Sequence, residues 1–178
     1  MRRVRAAMPR IAPALAAVLL TAGCGLTHVT DLNFRLDDRL HFLGPQSRST
    51  VHLPFTVSWR MEDFRPVALG SEPPSDGAGV FGVFVDRAPI KPGETLRSVA
   101  HGDTVCERDP KCPDEHYLNQ HKVYTTTRSS IRIVLMPSLP GREKLQLHTV
   151  TVILIDTSGR RIGESAWELD VRMPRFGV

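Results

Sequence analysis

The sequence contains no apolar segment long enough to span a membrane, and it is poor in cysteine. The longest apolar run, Ile11 to Ala22, would rise only about 18 Å as a helix, against the roughly 30 Å hydrocarbon core of a bilayer. Three cysteines occur in the whole chain of 178 residues. The sequence therefore predicts no membrane-spanning helix, and it leaves only three positions at which thiol chemistry could occur.

The chain beyond its first 23 residues also lacks a net charge. The whole chain has a formal charge of +4. Four arginines near the N-terminus account for it, so that Cys24 to Val178 contains 19 basic and 19 acidic residues. Nucleic-acid binding requires a concentrated positive surface, and we exclude it. The charge is uneven, however: Cys24 to His121 contains 10 basic and 14 acidic residues, and Lys122 to Val178 contains 9 and 5.

No familiar catalytic motif is present. The sequence has no Gly-x-Ser-x-Gly, Gly-rich phosphate loop, His-Glu-x-x-His or Ser-x-x-Lys. His41, His52 and His148 fall within strand patterns, and we expect them to be surface or half-buried side chains rather than general bases. The sequence therefore predicts no catalytic residue and no enzyme, although a site assembled only in the folded chain would leave no such motif.

The N-terminus has the features of an export signal. Four arginines and no acid precede the apolar run, and a small-residue segment follows it. The segment Leu20-Thr21-Ala22-Gly23-Cys24 resembles the lipobox of bacterial prolipoproteins. This resemblance implies a signal peptide at 1–23, diacylglycerol on Cys24, a tether at 24–30 and attachment to the extracytoplasmic face of the cell membrane, since two acyl chains anchor stably. The alternative is an ordinary secretory peptide with an incidental cysteine.

Strict alternation of apolar and polar residues predicts β-strands. From Thr50 to Arg60, every second residue from Val51 to Trp59 is apolar, which predicts a strand with one buried face. Pro54 lies on the polar side of this strand and predicts an edge or a bulge there. We also expect Trp59 and Trp167 to lie in the centre of the core. The segment from Leu32 to Leu36, continuing to Leu40 and Phe42, is predicted to form one long strand or a tight hairpin. Further strands are predicted at Val80–Asp86, Val123–Thr127, Ile131–Leu135, His148–Ile155 and Ala166–Met173.

About seven strands without a long amphipathic helix predict an all-β fold at 31–178, an antiparallel β-sandwich with one long loop insertion. The sequences VSWRMEDF and GVFGVFVDRAP resemble the second and third strands of a fibronectin type III or related immunoglobulin-like domain. Leu139-Pro140-Gly141, followed by HTVTVILIDTSGR, resembles that fold's corner and penultimate strand. The resemblance covers roughly Thr50 to Met173 and implies a fold but no activity. His148 stands several residues after the expected position of the corner tyrosine.

Two long connections are the predicted sites of recognition, because a rigid sandwich usually binds through its loops. They are Met61–Gly79 and the insertion Arg87–His121, which is longer than the usual connection. The first is rich in Pro, Gly and Ser, so that a floppy loop without function is the alternative. Within the insertion, the segment beginning at Pro113 resembles a short helix, with proline first and acids in its first turn.

The insertion contains the segment CERDPKCPDEHYLNQH, for which three explanations exist. Exported proteins fold where thiols are oxidised, so a Cys106–Cys112 disulfide is the first. A tetrahedral zinc site of Cys106, Cys112, His116 and His121 is the second, although the first spacing is wide. Calcium is the third and weakest, since no Asp-x-Asp-x-Asp-Gly loop is present. Its oxygen ligands would come from the acids Asp103, Glu107, Asp109, Asp114 and Glu115.

Together these features predict a lipid-anchored protein of the cell envelope, without a cofactor, that binds or scaffolds an envelope protein or polymer. The alternative function is a zinc-binding lipoprotein that uses the cluster from Cys106 to His121.

Overall fold

The computed structural model describes residues 37–136 and 138–175. The signal peptide, Cys24, the tether and the predicted strand segment Leu32–Leu36 lie outside the described residues. None of the helices among the described residues has the length and apolarity needed to cross a membrane. The described elements are β1 (Leu40–Gly44), β2 (Phe55–Met61), β3 (Arg65–Pro66), β4 (Ala78–Val85), a 3-10 helix (Leu96–Ala100), α1 (Thr104–Arg108), α2 (Glu115–Gln120), β5 (Val123–Thr126), β6 (Ser130–Ile133), β7 (Leu145–Asp156) and β8 (Arg161–Pro174).

The strands form two sheets. The small sheet has the order β1-β2-β6, and the large sheet has the order β3-β4-β7-β8, with β5 also paired to β4. All pairings are antiparallel except the short β3–β4 pair. The predicted all-β sandwich is therefore confirmed. The two strands predicted at His148–Ile155 and Ala166–Met173 are also present; they form the antiparallel pair β7–β8, and both are longer than predicted.

The main core lies between the two sheets. Trp59 on β2 packs against Phe81 on β4 in an edge-to-face arrangement, with ring centroids 5.3 Å apart. On β8 the predicted inward residues Leu169, Val171 and Met173 are buried. Other fully buried members of this core are Val57, Val83, Ile133, Met136, Val150, Val152 and Leu154.

The predicted strand from Thr50 to Arg60 is wrong in its first half, because the chain changes sheets at Pro54. The strand proper begins at Phe55 and belongs to the small sheet. The preceding segment, residues 48–51, lies instead along the free side of β8 in the large sheet, where the N–H of Val51 donates to the carbonyl of Arg172. The two segments share one alternation because both direct their odd-numbered side chains into the same core.

Two further expectations need correction. The predicted strands Val123–Thr127 and Ile131–Leu135 are both present in shortened form, but β5 pairs with the large sheet and β6 with the small one. Leu135 lies beyond β6 and is exposed. Trp167 is half-buried rather than central, because it lies at the rim where its indole N–H donates to the carbonyl of Asp37 at 2.7 Å.

Asp37 connects the first described residues to β8 through hydrogen bonds. Its carboxylate accepts hydrogen bonds from the guanidinium of Arg39, at 2.9 and 2.7 Å, and from the hydroxyl of Ser165 at 2.6 Å. The Arg39 hydrogen bonds are the main reason that the pKa of Asp37 falls from 3.8 to about 2, and burial opposes the shift. The ionised form is thus favoured in the folded protein.

We expect Asp37→Asn to destabilise the protein at neutral pH by on the order of 1 kcal/mol, after allowance for solvent screening. A lowered folded-state pKa contributes stability above pH 4 that is lost as the pH falls towards 2. The difference between the wild type and the variant in urea denaturation should therefore shrink over that pH range. Asp38→Asn at the exposed neighbouring position is the control, and an equal pH-dependent loss in both variants would contradict the assignment.

Candidate functional site

The insertion Arg87–His121 forms a third layer on the outer face of the large sheet. Its apolar side chains make a second core with the sheet residues that point away from the sandwich. This second core explains why β4 is buried along its whole length, with Phe81 and Val83 facing the sandwich and Val80 and Phe84 facing the insertion. The other members of the second core are Ile90, Leu96, Val99, Leu118, Val123, Ile153 and Ile155.

The predicted disulfide between Cys106 and Cys112 is present, with their Cα atoms 5.2 Å apart. The side chain of Cys106 is buried. A helix of five residues such as α1 has little stability on its own. Closing so short a loop contributes about 2 kcal/mol in the chain-entropy model. The bridge therefore fixes the segment between α1 and α2 in a defined conformation.

Aspartates cap both helices of the insertion. The carboxylate of Asp103 accepts from the N–H groups of Val105 and Cys106 at 3.0 and 3.1 Å, and the Cys106 bond is the largest cause of its lowered pKa. Asp114 is the N-cap of α2 and accepts from the N–H of Tyr117 at 2.8 Å, so the helix begins at Glu115, two residues after the predicted first position at Pro113. The hydroxyl of Tyr117 donates back to Asp103 at 3.2 Å and so joins the two helices.

The first part of the insertion is held to the β7–β8 turn. The N–H of Leu96 donates to the carbonyl of Gly159 at 2.8 Å, and the N–H of Arg161 donates to the carbonyl of Glu94 at 2.8 Å. The guanidinium of Arg161 is buried and donates to the carbonyl of Ile90 at 2.6 Å. Burial lowers the pKa of this guanidinium. These contacts make the insertion part of the folded domain rather than a free loop.

An open depression of about 520 Å³ lies between the first residues of the insertion and the outer face of β7 and β8. Its wall is apolar at Leu147, which remains 48% exposed, and polar at Arg87 and Glu168. The remaining lining residues are Asp86, Ala88, Pro89, Leu139, Thr149 and Thr151. An apolar wall with a few convergent polar groups is typical of a binding site.

A buried Asp–His pair lies beside this depression. One carboxylate oxygen of Asp86 is 2.8 Å from Nδ1 of His148, and the other accepts from the N–H of Thr149 at 3.1 Å. His148 is completely buried, so the expectation of a surface or half-buried histidine is wrong for this residue. Its Nε2 has no hydrogen-bond partner among the described residues, and hence no hydroxyl or thiol there is placed for activation. The sequence alone could not have indicated that Asp86 and His148, which are 62 positions apart, are in contact.

His41 and His52 are exposed, as expected. The four proposed zinc ligands do not form a site: Cys106 and Cys112 are joined to each other, and the described residues contain no cluster of three or more ligating side chains suited to a metal ion. Nε2 of His116 lies 2.9 Å from the amide nitrogen of Gln120, and Nδ1 of His121 lies 2.8 Å from the carbonyl of Tyr117.

Most of the acids proposed as calcium ligands accept hydrogen bonds from backbone N–H groups instead. Besides the caps on α1 and α2, Glu107 accepts from the N–H of Gly102 at 3.0 Å and Asp109 accepts from the N–H of Lys111 at 2.8 Å. These acids therefore stabilise turns and helix ends.

Comparison with known proteins gave no match to any family model, curated protein or solved structure. The function is accordingly argued from the folded chain itself.

Proposed function

We propose that this chain is a lipid-anchored, extracytoplasmic binding domain with an immunoglobulin-like or fibronectin type III-like architecture. It holds a protein or polymer of the cell envelope without catalysing a reaction. The export signal and the lipobox-like segment ending at Cys24 support the location, and the two-sheet sandwich supports the architecture.

The observation that carries the proposal is that the insertion is a folded layer. It has its own core, two capped helices and a disulfide, and it is attached to the β7–β8 turn through buried Arg161. Maintaining these features requires ordering about 35 residues, which costs conformational entropy that a simple connection would not incur. A rigid layer at the border of an open depression is suited to presenting a binding surface.

A photo-crosslinking experiment on intact cells tests the proposal. A benzophenone amino acid replaces Leu147 at the depression or, as an exposed control outside both long connections, Leu135. We expect a discrete species crosslinked to an envelope partner from position 147 at least about fivefold stronger than from position 135, because a specific interface buries only about a tenth of a small protein's surface.

The double variant Cys106→Ser/Cys112→Ser should weaken crosslinking from position 147 while the sandwich stays folded, since the bridge orders only the insertion. Equal and diffuse crosslinking from both positions would contradict the binding function. The intact mass of the mature protein tests the anchor: diacylglycerol on an N-terminal Cys24 is expected, and an unmodified Cys24 would contradict it.

A further inference from the structure

Strand β6 forms one edge of the small sheet. It pairs only with β2, in the order β1-β2-β6. The N–H of Trp59 donates to the carbonyl of Ser129, so the hydrogen-bonded positions of this antiparallel pair fall on the odd-numbered residues of β6. The backbone N–H and carbonyl groups of Ser130, Arg132 and Val134 therefore point away from β2, and they have no hydrogen-bond partner within the described part of the chain.

The chain continues past the small sheet after β6. The pairing ends at Phe55 and Ile133, so Val134 and Leu135 extend beyond it. Their side chains are 67% and 72% exposed. Continuing the alternation of β6, Leu135 falls on the same side as Ile131, which packs against the main core but is only half-buried. Apolar side chains along this free edge are thus incompletely covered by the chain itself.

The β6 edge lacks the features that usually keep sheet edges apart. Natural edge strands are protected by proline, lysine, an inward charge or a bulge. The sequence from Ser130 to Met136 contains no proline, glycine, lysine or acid, and the β2–β6 register has no shift. The strand at the opposite edge, β1, has a register shift between Phe42 and Gly44. A short, β-prone apolar segment without such protection is the type that pairs with a further strand.

A second copy of the chain fits this edge in an antiparallel register. The two strands must pair even-numbered residues with even-numbered ones, because only these have free backbone groups. With a two-fold axis at Ile133, Arg132 of each copy lies opposite Val134 of the other, and each of these pairs exchanges two N–H···O bonds. Val134 then packs on the aliphatic stem of the arginine, and Leu135 lies beside Ile131 of the second copy.

The neighbouring registers are less favourable. An axis at Arg132 places two guanidinium groups directly opposite each other, where like charges destabilise a sheet. An axis at Ile131 leaves the two exposed apolar residues uncovered. An axis at Val134 requires Met136 as a pairing residue, although its side chain is 1% exposed and belongs to its own core. The edge is therefore self-complementary in the register centred on Ile133, as a two-fold homodimer requires.

We infer that the chain forms a two-fold homodimer through β6, in which the two small sheets join into one continuous sheet. None of the residues that line the depression lies between Ser130 and Met136, so pairing leaves it open in both copies. Under the proposed binding function, the dimer presents two depressions and can hold an elongated polymer at two points, which raises avidity without a new contact. The dimer itself requires neither the anchor nor a ligand.

Cysteine crosslinking in intact cells tests the register. Two differently tagged chains, one with Arg132→Cys and one with Val134→Cys, are produced together and oxidised with copper phenanthroline. Opposite residues of a hydrogen-bonded pair have Cα atoms about 5.5 Å apart, within disulfide range, whereas cysteines at the same position in both copies lie about 7–8 Å apart. We expect at least about fivefold more disulfide-linked dimer from the mixture than from either variant alone.

The matched pair on the opposite edge is His41→Cys with Leu43→Cys, at exposed positions two residues apart on β1, and it should give no such excess. A benzophenone amino acid at Leu135 should give an adduct of twice the mass of the chain. Val134→Pro removes an N–H that faces the second copy but no bond to β2, and it should abolish this adduct, whereas Val134→Thr should retain it. Urea denaturation verifies that both variants fold.

Four results would each overturn the homodimer. They are equal amounts of dimer from the mixture and from the single variants, an equal excess from the β1 pair, an adduct from position 135 that persists in Val134→Pro, and an adduct from position 135 to a different protein. An unmodified Cys24, or no partner at position 147, would contradict the proposed function and leave the homodimer standing. Absence of the mixed dimer would leave the binding function standing.

Discussion

Replacing Trp59 by aspartate will unfold the domain. The indole is 1% exposed and packs on Phe81 in the centre of the main core. Removing such a side chain costs about 3–5 kcal/mol, and the carboxylate would add the cost of burying a charge without a partner. The total is comparable with the whole stability of a typical domain, about 5–15 kcal/mol. We expect loss of the cooperative transition in thermal unfolding followed by circular dichroism.

Trp59→Phe is the matched variant. The indole N–H of Trp59 has no hydrogen-bond partner among the described residues, so phenylalanine removes volume but no hydrogen bond. We expect a folded protein with a loss of roughly 1–3 kcal/mol. A cooperative, near-native transition for Trp59→Asp would show that the indole does not lie in the core.

Gly79→Ala will destabilise the domain by about 3–5 kcal/mol, because this position combines an unfavourable backbone conformation with a clash. Gly79 has φ of +154°, and an added Cβ would lie 1.9 Å from the carbonyl oxygen of Ile155 and 2.8 Å from Cα of Asp156. These neighbours are backbone atoms of the paired strand β7, which cannot move without breaking the sheet. Urea denaturation measures the loss.

The control lies two residues earlier. Gly77 has no atom within 4 Å of an added Cβ, so Gly77→Ala should be neutral or slightly stabilising. Equal effects of the two alanine substitutions would contradict the close approach of β4 and β7 at Gly79. The disturbance from Gly79→Ala should also reach the β7–β8 turn, since Asp156 accepts there from the N–H groups of Ser158 and Arg160.

The sequence predicted the elements whose signals are local. The strands of the hairpin β7–β8 follow from their local apolar and polar pattern, and the short helix α2 follows from Pro113 and the acids after it, although it begins at Glu115, two residues later than predicted. The Cys106–Cys112 bridge was predicted from a short separation and from the expectation of export to an oxidising compartment. Each of these features depends on residues close together in the chain.

Features that join distant segments were missed or misplaced. Apolar residues on both sides of VFGVFVD are consistent with the two-sided burial of β4, but nothing in the sequence identified Leu96 and Leu118 as the residues that cover its second face. The change of sheet at Pro54 was hidden because both segments keep the same alternation. Asp86 and His148 looked unremarkable separately, and only the pairing of β4 with β7 brings them together.

The amino-acid sequence by itself determined the all-β class, most strand faces, the disulfide and the neutral charge of residues 24–178, since these depend on composition and on local periodicity. Only the tertiary structure decided that the insertion is a third layer and that its residues proposed as metal ligands serve mainly as helix caps and as a disulfide bridge. Those properties arise from which strands become neighbours, and strand neighbours are chosen by packing across the whole chain.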